Sequence, residues 1–406
     1  MSKYILITGG ELFNKGAQSM TFVAVDEIKK RFPDSKIILL SSADYRRKVS
    51  EKKQYNFEIL PFDSSIIFQL VGGIYKVIWN LKTNKNSRTK YEYLLPVFKN
   101  ILVNTAAIID ISGYALSSQF GSKRSLAYLA KIMLAKKYNI NMYMMPQSYG
   151  PFSYGDLEKI VNRYYIKRYM QYPELIFARE EEGYKLLKND YGLTNVKKSN
   201  DLVLMNKSIN LLNVYKKVPE GNTFFDNIKG VAIVPNMKNF KHGNIDQIMS
   251  LYDSIIKLLL KENKTVYLIR HSFEDIQACK MIKERYIDNN NVILISDDMS
   301  CLVFDELVQR FDFIIGSRFH SIVHAYKNSI PCISLGWATK YHELLKSFKQ
   351  EDYIFDVRNN LNVDAVEYAI KKMLGQRNYE SDNIRSILTE VQTRNVFDVL
   401  ESNIRA

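Results

Sequence analysis

The stretch Phe313–Phe348, FIIGSRFHSIVHAYKNSIPCISLGWATKYHELLKSF, decides the reading of the fold. An apolar run closes on Gly316-Ser317, a helical pattern covers Phe319–Lys327, and Pro331 opens a second apolar run, PCISLG. Strand, helix and strand in that order form a right-handed unit of a parallel sheet. Arg318 and His320 fall in the first turn of the helix, where free N–H groups and the positive end of the macrodipole favour an anion. A guanidinium there matches a carboxylate or phosphate. An imidazole adds a group that passes protons near neutral pH. His324, one turn on, reads as a packed helix residue.

The same unit repeats upstream. GVAIVPN (230–236), TVYLIRH (265–271), NVILIS (291–296) and FDFIIGS (311–317) read as strands, separated by helical patterns over Asp246–Lys261, Glu274–Arg285 and Leu302–Arg310. The first half alternates likewise. YILIT, KIILLSS, AAIIDIS (106–112), NMYMMPQ (141–147) and ELIFARE (174–180) are strands. Lys15–Arg31, Lys123–Lys137, Asp156–Met170 and Glu181–Lys188 are helices. The expected architecture is α/β: two Rossmann-like domains facing each other across a cleft, a GT-B-like arrangement. The expected boundaries are 1–205 for the first domain, 206–229 for a polar linker, 230–363 for the second domain and 364–406 for C-terminal helices. Ligands of open parallel sheets bind beyond the carboxyl ends of the strands, so the candidate residues are those just after strands.

Ile66–Trp79 departs from this alternation, being apolar on nearly every face; Lys82, Lys85, Arg88 and Lys90 follow it. Too short to span ~30 Å of hydrocarbon, it reads as a core or interface helix before a solvated basic loop. The competing reading is a peripheral contact with an anionic membrane. The chain of 406 residues carries 57 Lys and Arg against 43 Asp and Glu, a formal charge of +14, which favours anionic partners. No ribbon of interleaved basic and aromatic residues suggests nucleic acid. Cys279, Cys301 and Cys332 stand singly, which suits a reducing compartment and neither disulfides nor a zinc site. MSKYILITGG lacks a signal-peptide pattern. The expectation is a cytoplasmic protein, peripheral at most at the inner face of the membrane. No metal and no cofactor is expected; Asp297 and Asp298 read as helix-capping residues rather than ligands. Asp275 reads as a residue complementing a helix dipole.

The ordered series of motifs resembles the polysaccharide pyruvyl transferases. Ser317, Arg318 and His320, then Ile330-Pro331, then Gly336-Trp337 and Lys340 are similar to that family's signature. So are GGELFNKGAQSM at the start, DISGYALSSQFG after a middle strand, MPQSYGPF (145–152), FARE-EEGYKLL, SNDLVLM (199–205) and RHSFEDIQACKMI (270–282). The chain departs from it at Trp337-Ala338-Thr339, where Tyr often precedes the Lys, and at Gly183, where Ser is common. The resemblance implies phosphoenolpyruvate as donor substrate, with phosphate released and a pyruvate ketal formed on a sugar. It implies His320 as acid/base, and Arg318, Arg179, Lys340 and Ser317 as donor-binding residues. Asn14, Lys15, Gly16, Gly113, Gln147 and His271 would line the acceptor side or the cleft. The acceptor would be a sugar nucleotide, a lipid-linked sugar or an oligosaccharide, held on the first domain. The alternatives are a glycosyltransferase using a sugar nucleotide on the same scaffold, or a non-catalytic glycan-binding relative. The first alternative calls for an acidic ribose-binding residue, for which His342-Glu343 is the nearest candidate.

Overall fold

A computed structural model describes residues 3–82, 86, 89–219, 225, 227–336, 338–358 and 362–404. Lys85, Arg88, Trp337 and part of the expected linker lie outside the described residues. Continuous apolar runs become parallel strands buried on both faces. In the first half these are β1 (Tyr4–Thr8), β2 (Lys36–Leu40), β3 (Glu58–Leu60), β4 (Thr105–Asp110), β5 (Tyr114–Leu116), β6 (Asn141–Tyr149), β7 (Leu175–Ala178) and β8 (Val196–Lys198). Their order is β3-β2-β1-β4-β6-β7-β8, with β5 beside β6. In the second half β9 (Gly230–Val234), β10 (Val266–Ile269), β11 (Val292–Ile295), β12 (Phe311–Gly316), β13 (Cys332–Leu335) and β14 (Ile354–Phe355) run in the order β11-β10-β9-β12-β13-β14. Strand order reverses between β1 and β4 and again between β9 and β12, so each half has its ligand-binding crevice there.

The helices that matter for the site are α1 (Lys15–Arg31), α2 (Ser64–Val71), α3 (Gly73–Lys82), α4 (Ser122–Lys137), α5 (Asp156–Tyr169), α6 (Glu181–Lys185), α7 (Asp275–Glu284), α8 (Cys301–Val308), α9 (Phe319–Lys327), α10 (Thr339–Ser347), α11 (Val363–Val391) and α12 (Asp398–Ile404). α1 starts where the Asn14 side chain accepts from the Gly16 N–H at 2.9 Å, and Lys29, Lys30 and Arg31 complement its C-terminal dipole.

Two expectations need correction, on the segment 66–79 and on Asp297 and Asp298. The segment 66–79 is not one helix: it breaks at Gly72, whose φ of +72° suits glycine, into α2 and α3. Ile66, Ile67 and Leu70 are core, while Val77 and Leu81 are exposed. The expected linker packs on the first half: Val214 and Tyr215 are buried, and the Tyr215 ring lies 5.5 Å from Phe22 of α1. Asp297 and Asp298 cap nothing; Ser300 caps α8, and Asp298 pairs with Arg270 at 3.2 Å. The C-terminal helices return to the first half: Asn395 donates to Glu27 at 2.7 Å and Arg31 pairs with Asp398 at 2.5 Å.

Candidate active site

β12 ends at Gly316, where a Cβ would stand 3.0 Å from Ser321 Oγ, so the chain turns tightly into α9. Arg318 takes extended backbone (φ −112°, ψ 130°) at the N-cap of α9 and caps nothing with its side chain. Instead its Nε donates to Asp275 at 2.8 Å, and its Nη2 donates to Asp275 at 2.6 Å and Glu274 at 2.7 Å. Two carboxylates from α7 and its N-cap therefore hold the guanidinium in place and balance its charge, leaving Nη1 as the remaining donor group. Asp275 does more than complement a dipole: it also accepts from the Met237 and Ser272 N–H groups.

His320 begins the helix against α1. Gly16 is glycine because a Cβ there would fall 2.3 Å from Cγ and Nδ1 of the His320 ring. His320 Nε2 is buried without a hydrogen-bond partner; the nearest acid, Asp201, stands 3.7 Å away. Burial, reinforced by the Arg179 charge, pushes the imidazole down to about 3, so it is neutral at physiological pH. His271, 2% exposed, is also driven well below the usual range, first by burial and then by Lys15, and its Nε2 too is unpartnered.

Lys340, on α10, has no ion-pair or hydrogen-bond partner for its Nζ among the described residues. Phe319, Tyr114 and Tyr341 surround it with ring centroids at 5.3, 5.6 and 5.7 Å. Burial, then the Arg179 charge, pushes its ammonium down to about 8.

These groups meet on one cavity of about 580 Å³, walled by both halves. Asn14, His271, Arg318, His320 and Lys340 line it. So do Lys238, Arg358, Glu180, Ser148 and Tyr114, which the sequence reading did not name. Four lining side chains are cationic (Lys238, Arg318, Lys340, Arg358) and two are acidic (Glu180, Glu182); Arg318 is paired with Asp275 and Glu274 and Arg358 with Asp356, so Lys238 and Lys340 carry the charge that an anion would meet. Ser148 and Glu180 lie in segments already singled out, MPQSYGPF and FARE, and were legible as polar residues at the end of β6 and just after β7. Lys238 and Asp201 follow β9 and β8 in the same way.

The remaining candidates sit elsewhere. Arg179 is not a free clamp: its guanidinium lies behind the cavity wall, donating to Asp201 (2.6 Å), Ser148 Oγ (2.7 Å) and the Gly113 carbonyl (3.1 Å), and lies 4.7 Å from the Phe319 ring. Ser317 is 1% exposed, its carbonyl accepting from Asn236 and from the Tyr341 hydroxyl, so it supports the turn instead of meeting a donor. Gln147 is buried between Tyr128 and Asp110. Gly113 contributes its carbonyl to Arg179 and no cavity wall.

Lys15 is an interface residue, its Nζ donating to the His271 carbonyl at 3.0 Å. Two neighbours on α1 do the same work: Gln18 accepts from the Cys301 N–H at 2.7 Å, and Ser19 Oγ meets His324 Nε2 at 2.9 Å while His324 Nδ1 meets Asp305 at 2.7 Å. His324 is thus a buried link between halves, beyond simple packing. Opposite, Glu343 accepts from the Glu181 and Glu182 N–H groups of α6 at 2.5 and 3.1 Å.

A family model described as polysaccharide pyruvyl transferase matches residues 14–339. No curated protein sequence matches. Among solved structures, UDP-GlcNAc 2-epimerase from Methanocaldococcus jannaschii is similar over 96% of this chain and 100% of its own, at 14% identity and a TM-score of 0.58. A glycosyltransferase from Rickettsia africae is similar over 99% of both chains, at 12% identity and a TM-score of 0.56. UDP-GlcNAc 2-epimerase from Neisseria meningitidis is similar over 99% of this chain and 100% of its own, at 13% identity and a TM-score of 0.55. At such identities the likeness is one of fold: two parallel-sheet α/β domains.

Proposed function

Since this chain belongs to the polysaccharide pyruvyl transferase family, we propose that it transfers the pyruvyl group of phosphoenolpyruvate to a sugar during cell-surface polysaccharide assembly, giving a pyruvate ketal and phosphate. One observation carries the reading: Arg318, His320 and Lys340 share a single cation-rich cavity between the two sheets. The donor brings a phosphate and a carboxylate. Lys340, with no acid paired to it among the described residues, supplies positive charge, and Arg318, held by Asp275 and Glu274, supplies a fixed donor edge.

Protonation of the donor's methylene carbon makes a methyl group and an oxocarbenium-like carbon. A sugar hydroxyl adds to that carbon and loses its proton, the carbon–oxygen bond to phosphate breaks, and a second hydroxyl closes the ketal. Of the two hydroxyl protons, one balances the proton gained by carbon and the other leaves with phosphate. His320, neutral at rest and with its Nε2 unpartnered, is placed to take a hydroxyl proton, provided that the bound donor's negative charge restores the basicity that burial removes. Lys340, pushed down to about 8, holds a proton at neutral pH and releases it readily, which suits a donor. Glu343, the acidic residue nearest to what a nucleotide-sugar enzyme would use on ribose, is already engaged by the α6 N–H groups, which favours the pyruvyl reading.

Thermal shift with phosphoenolpyruvate should raise the melting temperature, and UDP-sugars should not. Phosphate release with candidate acceptors should then fall ~10²–10⁴-fold in His320→Ala. Stabilisation by UDP-sugars alone, or near-normal turnover in His320→Ala, would sink the assignment.

A further inference from the structure

α5 is amphipathic in the unexpected direction. Its buried residues are Asn162, Ile166 and Tyr169, a narrow stripe against the protein. On the opposite side Leu157 (81% exposed), Ile160 (68%), Val161 and Tyr164 follow one another at i, i+3, i+4 and i+7. Four large apolar side chains thus form a continuous solvent-facing stripe on a helix of 14 residues. Scattered exposed hydrophobics need no explanation, but a helical stripe does. Lys159, Arg163, Lys167 and Arg168 border it, all exposed, against Asp156 and Glu158 on the same helix. Arg168 reaches back to the Tyr164 hydroxyl at 2.5 Å, so a cation and an aromatic hydroxyl stand together at the edge of the stripe.

We infer that α5 docks the protein on an anionic lipid bilayer. An apolar stripe flanked by basic side chains is what an interfacial helix presents to headgroups and the acyl boundary. Long basic side chains can lay their stems on the apolar surface while their charges meet lipid phosphates, and tyrosine suits the same depth. Charge complementarity selects the occupant: the helix is basic and the whole chain carries +14. Position gives the contact a use. Gly150 and Pro151 line the cavity, and α5 begins at Asp156 on the same segment, so a bilayer under α5 would lie beside the cleft mouth. An acceptor sugar carried on a lipid would be presented there; that last clause rests on the pyruvyl-transfer reading, and the bilayer contact does not.

The test is flotation of the full chain with vesicles of phosphatidylcholine and phosphatidylglycerol in a 7:3 ratio (about 50 mM salt), against pure phosphatidylcholine. The anionic vesicles should bind at least ~10-fold more protein, and binding should weaken with added salt. Leu157→Asn with Ile160→Asn removes the stripe. Lys159→Glu with Lys167→Glu reverses two flanking charges, at about 5-fold per cation lost. Each pair should abolish most of the binding while leaving the melting temperature near the parent's, since all four residues are exposed. No binding to anionic vesicles, or binding unchanged in both variants, overturns the inference. So does a parent that elutes as a dimer and becomes monomeric in Leu157→Asn with Ile160→Asn, because the stripe would then face a second copy. Flotation needs no turnover, so failure of phosphate release counts against the assigned reaction alone.

Discussion

At the scale of single residues, charge pairing decides which cations can act on a ligand. Arg179 and Arg318 are both committed to carboxylates, Asp201 for one, Asp275 and Glu274 for the other. Lys340 is paired with no acid among the described residues, and its depressed ammonium sets a pH limit. Phosphate release should decline as pH rises through about 8, where Lys340 loses its proton. In Lys340→Arg that decline should move well above pH 9, because a guanidinium keeps its charge. A pH–rate profile unchanged by Lys340→Arg would remove the lysine from the reaction. His320 imposes no acid limb in this range, its imidazole being neutral down to about 3 in the free protein. The residue types were legible in sequence, since strand–turn–helix placement put Arg318 and His320 at a helix start. Their pairing was not, because Arg318 and Asp275 are separated by 43 positions and Arg179 and Asp201 by 22.

At the scale of elements, α1 holds the two halves in register. Lys15, Gln18 and Ser19 bond the second half, and Gly16, on the same turn, gives the His320 ring its seat. Gly16→Ala should therefore reduce phosphate release by ~10²-fold through displacement of the imidazole. The melting temperature should fall as well, because a Cβ 2.3 Å from the ring and 2.8 Å from His320 Cβ forces α1 and α9 apart, outweighing the about 1 kcal/mol that the helix gains from Ala. Full activity in Gly16→Ala would show that the ring position is not critical. Periodicity located the long elements to within about a residue or two: Phe319–Lys327 is observed as expected, and Lys123–Lys137 is lengthened by one residue at its start. It did not find β3, β5, β8 or β14, which have 2 or 3 residues and no room for a pattern. It also did not reveal that α5 turns its apolar stripe outward. Periodicity shows that a helix has a face, and packing alone shows which way that face points.

For the molecule as a whole, the C-terminal helices tie the second half back to the first. Phe397, 1% exposed, lies in the core beside α1, with the Arg31 guanidinium 5.9 Å from its ring. Phe397→Ala should cost ~3–5 kcal/mol of stability, as for a large buried ring removed from a packed site. Denaturant unfolding should show the loss as a lower midpoint. An unchanged midpoint would mean that the returning helices contribute nothing to cohesion. No helix among the described residues is long and apolar enough to cross a membrane. A bilayer contact, if measured, would therefore be made by an exposed face such as α5.

The sequence by itself determined the alternation of strands and helices, the two parallel sheets, and the turn that carries Arg318 and His320. Each follows from apolar spacing and helix-start chemistry over a few neighbouring residues. Only the tertiary structure decided that Arg179 is buried behind the cavity wall, that Lys340 stands unpaired inside it, that Gly16 supports the catalytic candidate, and that α5 shows apolar side chains to solvent. Those outcomes depend on which distant groups share a low-dielectric space, and Coulomb and packing energies are set by distance in three dimensions, not by position along the chain.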